Sequence, residues 1–220
     1  RRAVRPGAVV VAVGTGSGIF ALLACRFGAR RVYAIESGEV LPVARTIARA
    51  NGCEEKIEFI GEPSACAELP ERADVIVSDL RGAMPLFQQS IPSIVDARRR
   101  FLAPGGVLIP QRDRLWAAVV AAPELWASLT SPWEEARLGI DMTAARKIVT
   151  NTLQKARVEK EQLVTPPAGW AVLDYATLET RDVHAAAGRS LFRRSTHQFP
   201  PELQRILSRC GGKLVEETLH

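Results

Sequence analysis

Apolar positions along this chain keep one rhythm up to about residue 110 and lose it afterwards. Val9 to Val13 is a continuous β-branched run, varied only by Ala12, which suits a strand covered on both faces in a parallel sheet. Ile19 to Phe27 is a mostly apolar helix stopped by Gly28. Arg31 to Ile35 reads as a second strand ending at Glu36. In Val40 to Ala50 the apolar residues Val40, Val43, Ala44 and Ile47 recur on one helical face, and Asn51-Gly52 closes the helix. Ile57 to Ile60 and Asp74 to Ser78 predict two further strands. Ser93 to Leu102 predicts a helix stopped by Pro104-Gly105-Gly106, and Val107 to Pro110 a fifth strand. Strand and helix alternate with short links, which predicts an α/β fold with a doubly wound, mostly parallel sheet over residues 1–110. Ligands of such sheets lie at the carboxyl ends of the strands, where the glycines after Val13, Glu36 and Asp79 all fall.

Beyond Pro110 the pattern loosens. Arg114 to Ala121 and Trp170 to Glu179 read as strands, separated by a segment with Trp126 and Trp133 and by the charged run Lys155 to Gln162. This region is expected to be mainly β, and Pro200 to Cys210 to form a short helix in the tail.

Composition narrows the class. With 220 residues, 47% of them hydrophobic and 24% charged, the chain can bury a core. The net charge of +5 is dispersed. Its densest cluster, Arg98-Arg99-Arg100, reads as a solvated helix face rather than a nucleic-acid patch, so nucleic acid is disfavoured as a partner. Cys25, Cys53, Cys66 and Cys210 form no CxxC pair, which fits reduced thiols and a cytoplasmic protein. His184, His197 and His220 have no partner at zinc spacing, so no metal site is expected. Gly7 to Cys25 carries no charge and has the length of a membrane span, but strand, turn and buried helix explain it better, and no membrane association is expected.

The stretch VVVAVGTGSGIF carries the chemistry. Gly14, Gly16 and Gly18 alternate at the turn from strand to helix, where missing β-carbons let backbone approach a ligand. A dinucleotide site would place its third glycine one residue later, which disfavours an oxidoreductase. Glu36, 22 residues beyond Gly14, stands where a carboxylate can accept both hydroxyls of a ribose.

The glycine spacing resembles the S-adenosylmethionine loop of class I methyltransferases. VAVGTGSGIFALLACRFGARRVYAIESGEV, ELPERADVIVSDLRG, ARRRFLAPGGVLIPQRDRLW and PWEEARLGIDM together resemble the protein arginine methyltransferases, with a weaker echo in EQLVTPPAGWAVLDYATLE. The resemblance implies a Rossmann-like S-adenosylmethionine domain at 1–110, a partial β-barrel-like substrate region at 111–190 and a helical tail at 191–220. It implies that Gly14, Thr15, Gly16, Gly18, Ile19, Glu36, Ser37 and Ser64 bind the cofactor, with Ser64 at the adenine ring. The family grips the substrate guanidinium with two glutamates in the loop after the fourth strand; these fall on Asp79 and Gln88 here. The expected acceptor is a protein arginine or another amine, including a small molecule. The family dimerises through an arm that the sequence does not reveal, so a homodimer is a candidate assembly.

Three departures stand out. Gln88 is neutral where a bidentate pair with arginine wants a carboxylate. Ala12 replaces an acid that holds the glycine loop and the methionine end of the cofactor, a loss of roughly 1–3 kcal/mol if its donors stay buried. The family's N-terminal lid helix and Thr-His-Trp motif have no counterpart, so the chain reads as partial. These departures also fit a second reading, a catalytically degenerate methyltransferase fold kept as a binding module.

Overall fold

The computed structural model describes residues 2–80, 85, 90–134, 139–150, 152 and 155–180. Its first strands and helices follow the sequence pattern closely: β1 (Val9–Val13), α1 (Ile19–Arg26), β2 (Arg31–Ile35), α2 (Leu41–Ala50), β3 (Ile57–Ile60) and β4 (Ala73–Ser78). They continue through α3 (Ser90–Phe101) and β5 (Leu102–Ile109). All five strands are parallel, in the order β3-β2-β1-β4-β5. The chain runs outward through β2 and β3, then returns to β4 on the other side of β1. The order therefore switches between β1 and β4, the place where such sheets open a crevice.

All five residues of β1 are buried, as its unbroken apolar run requires. On one face Val10, Ala12, Val32, Ala34, Val75 and Val77 meet Ala21, Leu22, Ala24 and Cys25 of α1 and Ala44 and Ala48 of α2. Small residues predominate on both helices here, and their short side chains let the helices lie close to the sheet. The side chains of Val11, Tyr33, Ile35 and Ile76 alternate with these by the two-residue period of a strand, and all four are buried. Gly7 to Cys25 is strand, turn and helix, and no helix among the described residues is long and apolar enough to cross a membrane.

Two expectations within this part need correction. Pro104-Gly105-Gly106 does not precede β5 but lies inside it. Ala73 pairs with Leu102 while Val75 pairs with Val107, so the extra residues form a bulge in this edge strand. The Arg98-Arg99-Arg100 cluster is not simply solvated. The Arg98 side chain is only 12% exposed and donates to the carbonyls of Tyr175 (2.7 Å) and Leu178 (2.8 Å) and to Glu179 (2.6 Å). Arg99 also pairs with Glu179, and Arg100 turns toward residues 64–67. Carbonyls left over by irregular segments draw these guanidiniums inward, which a charge count along the sequence does not reveal.

The chain divides into two compact units. The first joins Arg1–Asp113 with Leu173–Val183. In that return segment Tyr175 is fully buried and its hydroxyl donates to Asp113 at 2.7 Å. The second unit is Arg114–Val172 with His184–His220. Strands β6 (Arg112–Ala117) and β7 (Ala168–Asp174) pair in a two-stranded sheet, and the division falls within both. Between them the region expected to be mainly β holds two helices, α4 (Pro123–Glu134) and α5 (Thr143–Thr150). Pro132 inside α4 masked its helical signal. Helix α5 begins after Asp141, whose Oδ1 accepts from the Thr143 amide at 2.9 Å in N-cap fashion. Arg146 of α5 pairs with Glu134 at 2.6 Å and lies over the Trp126 ring. The expected helix at Pro200 to Cys210 falls outside the described residues.

Candidate functional site

Three segments of the first unit meet at the carboxyl edge of the sheet: the turn from β1 to α1, the end of β2, and the end of β4. The turn is held by backbone. The amides of Gly14 and Thr15 both donate to the Ile35 carbonyl at 3.0 Å, and the Gly18 amide donates to the Thr15 carbonyl at 2.8 Å. Gly14, Gly16 and Gly18 have φ of 67°, 54° and 85°, a region that side chains with a β-carbon rarely adopt. Their surroundings differ. A β-carbon on Gly14 would sit 2.3 Å from Leu80 Cδ2, so this glycine lets the loop after β4 approach. A β-carbon on Gly16 would meet nothing within 4 Å, so bare backbone here faces open space.

Glu36 follows β2 and ties the edge together. Its Oε2 accepts from the Gly16 amide at 2.9 Å and its Oε1 from the Gly38 amide at 2.8 Å. Its own amide donates to the Ile60 carbonyl at 3.0 Å, joining the end of β3. A carboxylate offers about four lone-pair positions, so two remain for a ligand. Helix α1 has no acidic residue in its first turn and points its amino end into this space, which favours a polar or anionic group there.

The structure brings Gly14, Thr15, Gly16, Gly18 and Glu36 into one cradle. Ile19 opens α1 and is 53% exposed, and Ser37 is exposed beside Glu36. Ser64 is half-buried in the turn after β3. Asp79 is exposed directly after β4. Gln88 lies outside the described residues. Ala12 is 1% exposed and packs in the apolar cluster under α1.

Several groups near the edge were not singled out by the sequence pattern. Leu80 fills the gap that Gly14 leaves. Ser90, the first residue of α3, donates its hydroxyl to the Leu80 carbonyl at 2.7 Å. Ser78 is another: among the described residues its buried hydroxyl, like that of the expected site residue Thr15, has no hydrogen-bond partner. The alternation of β1 and β4 leaves polar side chains at both strand ends, a signal visible in GT and VSD once the strands are aligned. Among the described residues no group of His, Cys, Asp or Glu is placed to hold a metal ion.

The cradle fits the nucleoside end of S-adenosylmethionine: open space against Gly16, a carboxylate with spare acceptor positions, and helix amides beside them.

The chain is similar to known methyltransferases. Residues 1–122 match the family described as ribosomal protein L11 methyltransferase (PrmA). The chain is 29% identical over 201 residues to a probable protein arginine N-methyltransferase 6 of Arabidopsis thaliana, covering 88% of this chain and 46% of the relative. It is 32% identical over 194 residues to protein arginine N-methyltransferase 6 of Danio rerio, covering 82% of this chain and 54% of that one. It thus spans about half the length of these relatives. Its fold is similar to that in a Trypanosoma brucei PRMT1 enzyme–prozyme heterotetrameric complex with AdoHcy, with a TM-score of 0.70 and 25% identity, covering 82% of this chain and 56% of the other. It is also similar to Arabidopsis thaliana protein arginine methyltransferase 10 in an open conformation, with a TM-score of 0.65 and 27% identity over 81% of this chain and 57% of the other.

Proposed function

The chain belongs to the ribosomal protein L11 methyltransferase (PrmA) family, and from that premise we propose that it is an S-adenosylmethionine-dependent N-methyltransferase acting on a protein arginine or a related amine. The observation that carries this reading is the Glu36 carboxylate, bridged to the Gly16 and Gly38 amides beside open space. A loop braced in this way needs little further ordering to bind a ligand.

In this reading Glu36 accepts the ribose hydroxyls. Gly14, Thr15, Gly16, Gly18 and Ile19 shape the methionine and ribose side, Ser37 flanks Glu36, and Ser64 borders the adenine. When bound, S-adenosylmethionine supplies an electrophilic methyl group on a sulfonium. Asp79, with Gln88, orients the acceptor nitrogen so that its lone pair faces that methyl group. The methyl carbon would bond to that nitrogen as its bond to the sulfonium sulfur breaks, leaving S-adenosylhomocysteine, and the proton lost from the nitrogen would pass to Asp79 or to water. The gain comes from positioning and from a fixed negative charge near a developing positive one. The relatives named above as arginine methyltransferases favour arginine, while the single acidic side chain of the Asp79–Gln88 pair favours a less tightly gripped amine.

A homodimer is a candidate assembly, and the exposed apolar residues Trp126, Ile140, Met142 and Ile148 of the second unit support it. A cytoplasmic location is supported by Cys25, Cys53 and Cys66, which are all free thiols.

Calorimetric titration with S-adenosylhomocysteine tests the reading. Micromolar binding is expected, weakened by about a hundredfold or more in Glu36→Ala, since each of the two hydrogen bonds from the ribose to this charged group contributes about 1.5–3 kcal/mol. No binding at millimolar ligand would overturn it in favour of a degenerate binding module. Asp79→Asn should leave this titration unchanged and lower methyl transfer by about a hundredfold.

A further inference from the structure

The glycines of the turn after β1 have different neighbours, and one of those neighbours is free to turn aside. Gly16 faces open space, while a β-carbon on Gly18 would stand 3.4 Å from Ala44 Cβ, which is fixed to α2. Gly14 lies under Leu80. A β-carbon there would collide with Leu80 Cδ2 and stand 3.1 Å from Cγ and 4.0 Å from Cδ1, so the end of this side chain is seated on the glycine. Leu80 is half-buried, and its carbonyl accepts from the Ser90 hydroxyl at 2.7 Å. The backbone is thus held, while the side chain keeps a choice of rotamers. Residues close in sequence to each side of this contact carry an unmet need. Thr15 follows Gly14, and Ser78 stands two residues before Leu80. Both are buried, and among the described residues neither hydroxyl has a partner. A buried hydroxyl without a partner is costly, and two of them beside one apolar contact mark a place where polar atoms have still to arrive.

We propose that Leu80 is a specificity-determining residue: seated on Gly14, it occupies the room of the amino-acid end of S-adenosylmethionine and leaves that of the nucleoside end clear. This rests on the reading of the site as an S-adenosylmethionine cradle, with Gly14 and Thr15 on the methionine side and Glu36 at the ribose. The nucleoside end meets bare Gly16 and the Glu36 carboxylate with nothing to displace. The amino-acid end reaches Gly14 only in conformers whose Leu80 side chain has turned away. Its apparent affinity falls by the fraction of protein in those conformers, so a fraction of about a tenth weakens it about tenfold. The ammonium and carboxylate of that end are donors and acceptors of the kind that the Thr15 and Ser78 hydroxyls lack.

The test compares, by calorimetry, S-adenosylhomocysteine with 5′-methylthioadenosine, the same nucleoside thioether with a methyl group in place of the amino-acid chain. Wild type, Leu80→Ala and Leu80→Val are measured, each checked by thermal melting. In Leu80→Ala, S-adenosylhomocysteine is expected to bind about tenfold more tightly and 5′-methylthioadenosine to stay within about twofold of wild type, so the ratio of their dissociation constants shifts about tenfold toward the longer ligand. Leu80→Val should shift it less in the same direction, and it carries the comparison if Leu80→Ala does not fold. A Leu80 that only packs against the turn would move both ligands together, or weaken S-adenosylhomocysteine alone. A ratio that stays put or shifts the other way therefore overturns the proposal. If none of the three proteins binds either ligand, the cradle itself is overturned, and the role of Leu80 with it.

Discussion

The two units of this chain treat apolar side chains in opposite ways. In the first, every strand of the sheet contributes buried residues, among them Val11, Val32, Ile57, Ile76 and Leu108. In the second, the only described residues that are buried are Thr130 and Thr165, and both are polar. Their hydroxyls serve local backbone: Thr130 donates to the Trp126 carbonyl at 3.1 Å, and Thr165 accepts from the Val119 amide at 3.0 Å. Large apolar residues of this unit, Trp116, Trp126, Ile148 and Val172, stay more than half exposed. The first unit is therefore specified by burial, and the second by caps, ion pairs and strand pairing. A substitution should be felt in proportion to which of these it removes.

The largest effect is expected at Ile76, fully buried in the central β4. Ile76→Ala removes a branched side chain from a packed face and should destabilise by about 2–5 kcal/mol. The melting point of a chain this size would fall by roughly 4–20 °C. A drop below 2 °C in calorimetry would mean that the sheet is not the stability core. Tyr175 comes next and sharpens the division, because it is late in the chain yet belongs to the first unit. Tyr175→Phe keeps the ring and takes a donor from Asp113, with an expected cost of about 1–3 kcal/mol. No change in urea unfolding would show that the return segment only rests on the first unit.

Cys25 tests burial within the first unit by chemistry. Burial first, and then its contact with Cys53, push its thiol from the ordinary 9.0 up to about 11. The fold thus favours the protonated form. The stability this contributes is complete below pH 9 and is lost as pH rises toward about 11. Melting followed across that window should fall more steeply for wild type than for Cys25→Ala. At pH 8 iodoacetamide should label exposed Cys66 well before Cys25, and equal rates would contradict the packing under α1.

The same contrast explains what the sequence could tell. β1 was legible because burial on both faces forces an unbroken apolar run, and no other element writes that pattern next to three alternating glycines. The cradle was legible for a similar reason: positive φ demands glycine, and Glu36 has to stand at a strand end to reach the Gly16 amide. α4 and α5 were not legible. They bury no apolar face, so no period of 3.6 was enforced, and Pro132 argued against a helix. Arg98 and Arg100 were misread because their acceptors are carbonyls distant in the chain, at 175–178 and 64–67, and carbonyls leave no mark on sequence. Leu80 was missed because its neighbour is an absence, the β-carbon that Gly14 lacks.

The smallest effect is the most informative about the second unit. Ile148 on α5 is 71% exposed, so removing its side chain should change the stability of a monomer by no more than about 0.5 kcal/mol. Its neighbours on that helix are also exposed or half-exposed, and no cavity would form. If the second unit is covered by another copy in solution, the same substitution would strip apolar area from an interface. Ile148→Ala would then lower the melting point in a way that grows as the protein is diluted. Melting Ile148→Ala and wild type at two concentrations a hundredfold apart decides between these cases. A difference independent of concentration and below 1 °C would leave α5 as a solvent-facing helix and count against the homodimer. A concentration-dependent difference would make the apolar surface of the second unit the counterpart of the buried sheet in the first, with its cover supplied by a second chain.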